Sequence, residues 1–293
     1  MRRSRNSSIL RSRIALTASV SAACLVLAGC AGSDGVTDGG RMAPDGPADE
    51  FGHIHSLDVN PADNRLYVAT HNGVFVLADD GFERVGDGAQ DTMSFTIAGP
   101  DRFLISGHPA PDSSGPAHLG LTESTDGGRS WQTLSLEGEV DFHALEVAGD
   151  RVYGVDSQTG LLKVSTDGKQ WRDLGQLPAA DVAADPEDPE RLLLTDGRGS
   201  LVQLEVSGQP QLVESAPRLV LLDWVSSDLL VGVGPEGAVH TSRDGGESWQ
   251  ESGSLPEPPH AFTATEDHWY AATESGVLTS TDEGNTWTGV TSQ

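Results

Sequence analysis

Imidazole is the side chain in this sequence with the widest chemistry. Seven of the nine histidines, His53, His55, His71, His108, His118, His143 and His260, alternate along the chain with Met93, Asp91, Asp141 and Glu274. A set of neutral imidazoles suits copper, zinc, nickel or iron, and a thioether tips the choice toward copper. Carboxylates beside such a set would fix the ring orientations. No local metal signature is present: no two histidines are four residues apart, and His53-Ile54-His55 is a weak signal alone. The same residues would equally serve a polar pocket for a small organic ligand or a peptide. They would also serve a structural cluster, with the histidines bonded to water or backbone and Met93 in the core. Which chemistry applies depends on the elements that bring these separate segments together.

Those elements are announced by a recurring stretch. Ser124-Thr125-Asp126-Gly127-Gly128-Arg129-Ser130-Trp131 returns as Ser165-Thr166-Asp167-Gly168-Lys169-Gln170-Trp171, one residue shorter. It comes back as Ser242-Arg243-Asp244-Gly245-Gly246-Glu247-Ser248-Trp249 and again as Ser280-Thr281-Asp282-Glu283-Gly284-Asn285-Thr286-Trp287. Each residue type suits a tight turn between strands. The aspartate accepts from backbone N–H groups just ahead, glycine supplies positive φ, and tryptophan opens the next strand with a large apolar face. The aspartates lie 41, 77 and 38 residues apart, and the double step implies a decayed copy at 205–212. A second decayed copy falls at 78–85. Six repeats of about 40 residues match a four-stranded propeller blade in length.

The motif Ser-x-Asp-x-Gly-x-(Ser/Thr)-Trp resembles the Asp-box (BNR) repeat of sialidases, sortilin-type receptors and bacterial surface propellers. The resemblance covers residues 51–293 and implies an all-β, six-bladed β-propeller of the sialidase/sortilin-like superfamily. Seven blades is the rival if the preceding segment adds strands. In that reading Asp126, Trp131, Asp167, Trp171, Asp244, Trp249, Asp282 and Trp287 are structural, because the box sits on the outer rim. The chain as a whole looks like the Asp-box lipoproteins of bacteria, a group commonly called glycosyl hydrolases on the repeat alone.

Laying the repeats over one another predicts second strands starting near Arg65, Arg102, Arg151, Arg191, Asp228 and His268. The first, innermost strands then place His55, Met93, His143, Ala180, Val220 and His260 at one position around the axis. His55, Met93, His143 and His260 are therefore the expected metal ligands, copper first and zinc second. His53, Asp91 and Asp141 stand two residues earlier on the same side. His71, His108 and Glu274 fall at the returning ends of second strands, on the same face, as further ligand-binding candidates. Blade 2 carries an insertion, residues 107–118, that reads as a binding loop or lid ending in His118. His240 and His268 lie elsewhere.

Ahead of the repeats, Met1 to Arg13 holds five arginines and no acid, and an apolar run from Ile14 to Ala28 follows. This is a secretory signal, too short for a stable span. It ends in Leu27-Ala28-Gly29-Cys30, which resembles a bacterial lipobox, so Cys30 would become a lipidated N-terminus. A plain signal peptide cleaved near Ala31 or Ala43 is the alternative. The expected domains are a signal at 1–30, a flexible Gly/Pro/Asp-rich tether at 31–50 and the propeller at 51–293. The expected location is the outer face of the bacterial cytoplasmic membrane. Cys24 would leave with the signal, so no disulfide is available to the mature chain, and the core must hold the fold unaided.

Loss of residues 1–29 removes five of 18 basic residues and none of 44 acidic ones, taking the net charge from −26 to −31. Such a surface disfavours nucleic acid and anionic head groups and concentrates cations. Enzyme activity is the less favoured class. The arginine cluster, nucleophilic tyrosine and Arg-Ile-Pro signature of sialidases have no matched residues here. Tyr67, Tyr153 and Tyr270 share one strand register and read as core. A glycoside hydrolase acting on surface or extracellular glycans would have to use a carboxylate pair such as Asp91 and Asp141. A protein-interaction scaffold is the remaining class, and a monomer is expected.

Overall fold

The computed structural model describes residues 52–111 and 113–290. The signal, Cys30 and tether readings lie outside the described residues. All regular structure in the described residues is β-strand, in six four-stranded antiparallel sheets. Blade 1 is β1 (Ile54–Asn60), β2 (Arg65–Thr70), β3 (Gly73–Ala78) and β4 (Gly81–Arg84). Blade 2 is β5 (Asp91–Gly99), β6 (Arg102–His108), β7 (Leu121–Ser124) and β8 (Gln132–Ser135). Blade 3 is β9 (Phe142–Ala148), β10 (Arg151–Asp156), β11 (Leu161–Ser165) and β12 (Arg172–Gln176). Blade 4 is β13 (Ala179–Ala184), β14 (Arg191–Asp196), β15 (Leu201–Glu205) and β16 (Gln211–Leu212). Blade 5 is β17 (Leu221–Ser226), β18 (Leu229–Val233), β19 (Ala238–Ser242) and β20 (Gln250–Ser254). Blade 6 is β21 (Ala261–Ala264), β22 (Trp269–Thr273), β23 (Gly276–Ser280) and β24 (Thr288–Gly289).

The first strands β1, β5, β9, β13, β17 and β21 touch in cyclic order, and β1 meets β21. This is a six-bladed β-propeller. Every blade is built from four consecutive strands, so no strand is exchanged at the closure. The joint between first and last blades is an apolar cluster of Leu57, Leu66 and Val68 with Ala261, Ala272 and Val277. Burial of each leucine or valine in it contributes about 1.5–3 kcal/mol relative to exposure. Second strands are the most apolar and the most buried, as in Leu66–Thr70 and Leu192–Thr195, because they lie between neighbouring sheets.

The recurring turns all join third to fourth strands. In blade 2 the Ser124 hydroxyl donates to Asp126 Oδ1 at 2.8 Å and accepts the Gly128 amide at 2.8 Å. Asp126 in turn accepts the Ser130 amide at 2.9 Å and the Ser130 hydroxyl at 2.6 Å. The same set recurs around Asp244 and Asp282. In the shorter copy Asp167 accepts from the amides of Lys169 and Gln170. The Ser130 hydroxyl and amide bonds, with the Ser124 hydroxyl, hold the Asp126 carboxyl at about 2. The tryptophans pack inward: Trp131 against the Tyr67–Phe103 cluster, Trp171 on Phe142 with its indole N–H donating to Ser135 of blade 2, Trp249 against the cluster that holds Leu193 of blade 4, and Trp287 against the cluster that holds Val239 of blade 5. Turns and tryptophans thus tie each of these blades to its predecessor.

A second set of ties lies inside the channel. Asp58 Oδ2 accepts the Ile97 amide of the next blade at 2.7 Å. Glu146 accepts from Ala184 at 3.1 Å, Asp181 from Leu222 at 2.8 Å and Asp223 from Ala264 at 2.7 Å. Between blades 2 and 3 the tie is made by hydroxyls: Ser94 Oγ donates to the Phe142 carbonyl, and Ser106 Oγ accepts the Phe142 amide. Burial pushes Asp58 and Asp181 up to about 7 and Asp223 up to about 6. The charge of Asp223 raises Asp58 and Asp181 further. Glu146 is raised well above its usual value, first by burial and then by the other three carboxylates.

Candidate functional site

Antiparallel alternation puts the first-to-second and third-to-fourth turns at one end of each blade. The starts of first strands and ends of second strands lie at the other. Arg65, Arg102, Arg151 and Arg191 sit at the turn end and serve it. Arg191 donates to Asp185 and to the Gly245 carbonyl, and Arg151 pairs with Glu190. The seven histidines named above gather at the opposite end. His240, on β19, and His268, beside Tyr270, stand apart from them.

The aligned position around the axis has a structural cause. Pairing between first and second strands slips between Ile54 and Ser56, Thr92 and Ser94, Phe142 and Ala144, and Ala179 and Asp181. The extra residue in each case is His55, Met93, His143 or Ala180. A β-bulge leaves one residue unpaired and re-aims its side chain, and here four successive blades bulge at one level. Opposite the Met93 bulge, Gly107 has φ +143, and a Cβ there would meet Asp91 O at 2.1 Å and Met93 N at 2.7 Å. Only glycine lets the strands approach so closely.

His55, Met93, His143, Ala180 and His260 line an axial cavity of about 900 Å³, which runs down to the channel carboxylates. The four expected ligands do not form one set. His55 instead joins His53 and His71, and one ligand atom from each of these three lies within 4.8 Å of the others. His55 Nε2 is 3.4 Å from His71 Nδ1. The same His71 Nδ1 lies 2.7 Å from Asp91 Oδ1. His260 stacks on His53, with ring centroids 4.4 Å apart, and sits 3.9 Å from Glu274. Met93 stays in the cavity wall.

His143 belongs to a neighbouring group. Its Nε2 lies 2.9 Å from Asp141 Oδ2, to which Ser157 also donates at 2.9 Å, and His108 Nε2 is 3.7 Å away. Burial pushes the Asp141 carboxyl up, but the His143 and Ser157 bonds and the His143 and His108 charges outweigh it and leave it below the usual value. Burial and the neighbouring His71 and His53 push His55 down to about 4, against the partial opposition of Asp91. His53 is lowered by burial and then by His260 and His71. At neutral pH His55 is therefore unprotonated, the state that coordination requires. The residues fit a nitrogen-binding transition metal, with Asp91 as the carboxylate that orients His71.

Sequence reasoning ranked His53 and His71 below the bulge positions because their convergence crosses from the strand before to the strand after. It did not find the channel carboxylates. The matching registers of Asp58, Glu146 and Asp223, opposite Tyr67, Tyr153 and Val231, carried that signal.

No protein-family model matches the chain, and no curated protein matches it. Solved structures of similar fold are many. A gluconolactonase, XC5397 from Xanthomonas campestris, has 14% identity and a TM-score of 0.63 over 78% of this chain and 86% of that one. YCF48 bound to D1 peptide has 14% identity and a TM-score of 0.55 over 78% and 93%. Virginiamycin B lyase from Staphylococcus aureus has 14% identity and a TM-score of 0.54 over 83% and 85%. At such identities the likeness is one of fold. The chain is a six-bladed β-propeller, an architecture that carries lyases, lactonases and peptide binders alike.

Proposed function

We propose that this chain is a lipid-anchored, extracytoplasmic Asp-box propeller that captures a transition metal, copper first, at its axial mouth. The observation that carries this reading is the convergence of His53, His55 and His71 with His55 held neutral. Met93 in the same cavity wall supplies the thioether that favours copper over zinc. Lipid on Cys30 would keep the protein at the membrane, and the acidic surface would enrich cations around the propeller. Titration of the metal-stripped intact protein in detergent with copper, then with zinc, tests the reading. A His55→Ala/His71→Ala variant should lose the mouth equivalent. Equal binding by both proteins rejects the assignment.

The size of the cavity favours one second reading. About 900 Å³ is far more than one ion needs, so a peptide or small organic chelate carrying the metal is the natural occupant. A peptide is bound by the structurally similar YCF48. The glycosidase reading gains less: Asp141, held below the usual carboxyl range, suits a ligand or nucleophile and not a proton donor.

A further inference from the structure

We propose that the blade 2 insertion completes a second metal site, separate from the mouth trio, in which His108, His118 and Asp141 bind zinc. His108 ends β6, His118 closes the insertion, and Asp141 directly precedes β9 of blade 3. One ligand atom from each lies within 4.8 Å of the others. Zinc bonds of about 2.0–2.2 Å need only a small further closure of the loop residue His118.

The orientation of the three side chains argues for a ligand more strongly than their proximity does. Each has one side-chain atom tied to the protein. His108 Nδ1 lies 3.0 Å from the Ala117 carbonyl, so it donates there and its Nε2 keeps a lone pair. His118 Nε2 lies 2.9 Å from the Gln158 amide. Asp141 Oδ2 is held by His143 and Ser157. Other atoms are left over: His118 Nδ1 and Asp141 Oδ1 are both buried without a hydrogen-bond partner. Asp141 is only 4% exposed. Leaving a carboxylate oxygen and an imidazole nitrogen buried without partners is costly, and a cation bound by the cluster would satisfy both.

Gln158 completes the tautomer logic. A half-turn of its amide, which exchanges two groups of nearly equal shape, lets His118 donate Nε2–H to the amide oxygen. His118 Nδ1 then carries a bare lone pair. Imidazoles whose far N–H is held by a carbonyl, beside a carboxylate oriented by its own hydrogen bonds, form the outer support that metal sites use. The loop ends are fixed in register by Leu119 N donating to Gly107 O and Gly138 N donating to His118 O. Two imidazoles and one carboxylate, with no sulfur, suit zinc and leave a coordination position open. The mouth, with its three imidazoles near Met93, is the softer of the two sites.

The test is zinc titration of the intact, metal-stripped protein by calorimetry, with hydrogen exchange of residues 107–120 as a second readout. A His53→Ala/His55→Ala/His71→Ala variant should keep one zinc equivalent, and adding His118→Ala should remove it. Gln158→Ala should weaken that equivalent about 10–100-fold. Zinc should slow exchange in the insertion of the wild-type chain but not of His118→Ala, which lies on an accessible loop and spares the core. The site is overturned if the triple variant binds no zinc, if His118→Ala leaves its zinc count and affinity unchanged, or if only manganese or calcium occupies it.

Discussion

His71 Nδ1 and Asp91 Oδ1 lie 2.7 Å apart across the boundary between blades 1 and 2. The bond joins the end of one second strand to the start of the next blade's first strand, and it fixes the tautomer of a ring in the mouth trio. Asp91→Asn should therefore lower copper affinity about 10–100-fold while leaving the thermal midpoint nearly unchanged. In a double-mutant cycle with His71→Ala the two losses should not add. Additive losses, read by competition titration, would show that Asp91 acts on the metal by another route.

The low pKa of His55 sets a direction for pH dependence. Its folded value of about 4 lies below the ordinary 6.5, so its contribution to stability is complete above 6.5 and is lost as pH falls toward 4. The metal-free wild-type protein should lose stability over that window relative to His55→Gln. Parallel pH–stability curves from denaturant melts of the two would contradict the buried, neutral imidazole.

The channel carboxylates run the other way. Asp58, raised from 3.8 to about 7, contributes stability that is present below 3.8 and lost as pH rises through 7. Because the Asp223 charge raises both Asp58 and Asp181, Asp223→Asn should lower both midpoints while its amide oxygen still accepts from Ala264. Carboxyl-carbon NMR titration resolves this. Unmoved midpoints would mean that burial alone sets them.

Trp249 packs against the cluster of Leu193, Leu219 and Leu230 and donates its indole N–H to the Gly246 carbonyl at 3.1 Å. Trp249→Ala should cost about 3–5 kcal/mol, measured by denaturant unfolding, with metal affinity retained because the turn end is remote from the mouth. A loss of copper binding without a loss of stability would reverse the division between the two ends.

Cys30→Ser should abolish incorporation of a fatty-acid label and release the protein from the membrane fraction. Retention of the label on the variant would place the modification elsewhere.

Much of the architecture was legible because turn chemistry repeats. Ser124 to Trp131 and its copies need the same donors and acceptors at every occurrence, so their spacing measures the blade. The level of His55, Met93, His143 and Ala180 was legible for the same reason, although the bulges that aim them were not. What sequence could not show is distance across the ring. His53 stacks on His260 from opposite ends of the chain, and His143 pairs with Asp141 rather than with His55, because side chains choose partners by proximity after folding. The carboxylates Asp58, Glu146, Asp181 and Asp223 read as ordinary strand-face charge until their bonds to the next blade are seen.

The ring joint has a mechanical meaning. Blades 1 to 6 are joined successively by polar bonds inside the channel, whereas the first and last blades meet through an apolar cluster with no shared strand. The described chain is a hoop whose ends meet through an apolar seam, and His53 of the first blade stacks on His260 beside the last. An ion or chelate gripping both rings would act as a clasp, so occupancy at the mouth would be felt as resistance of the whole hoop to springing open.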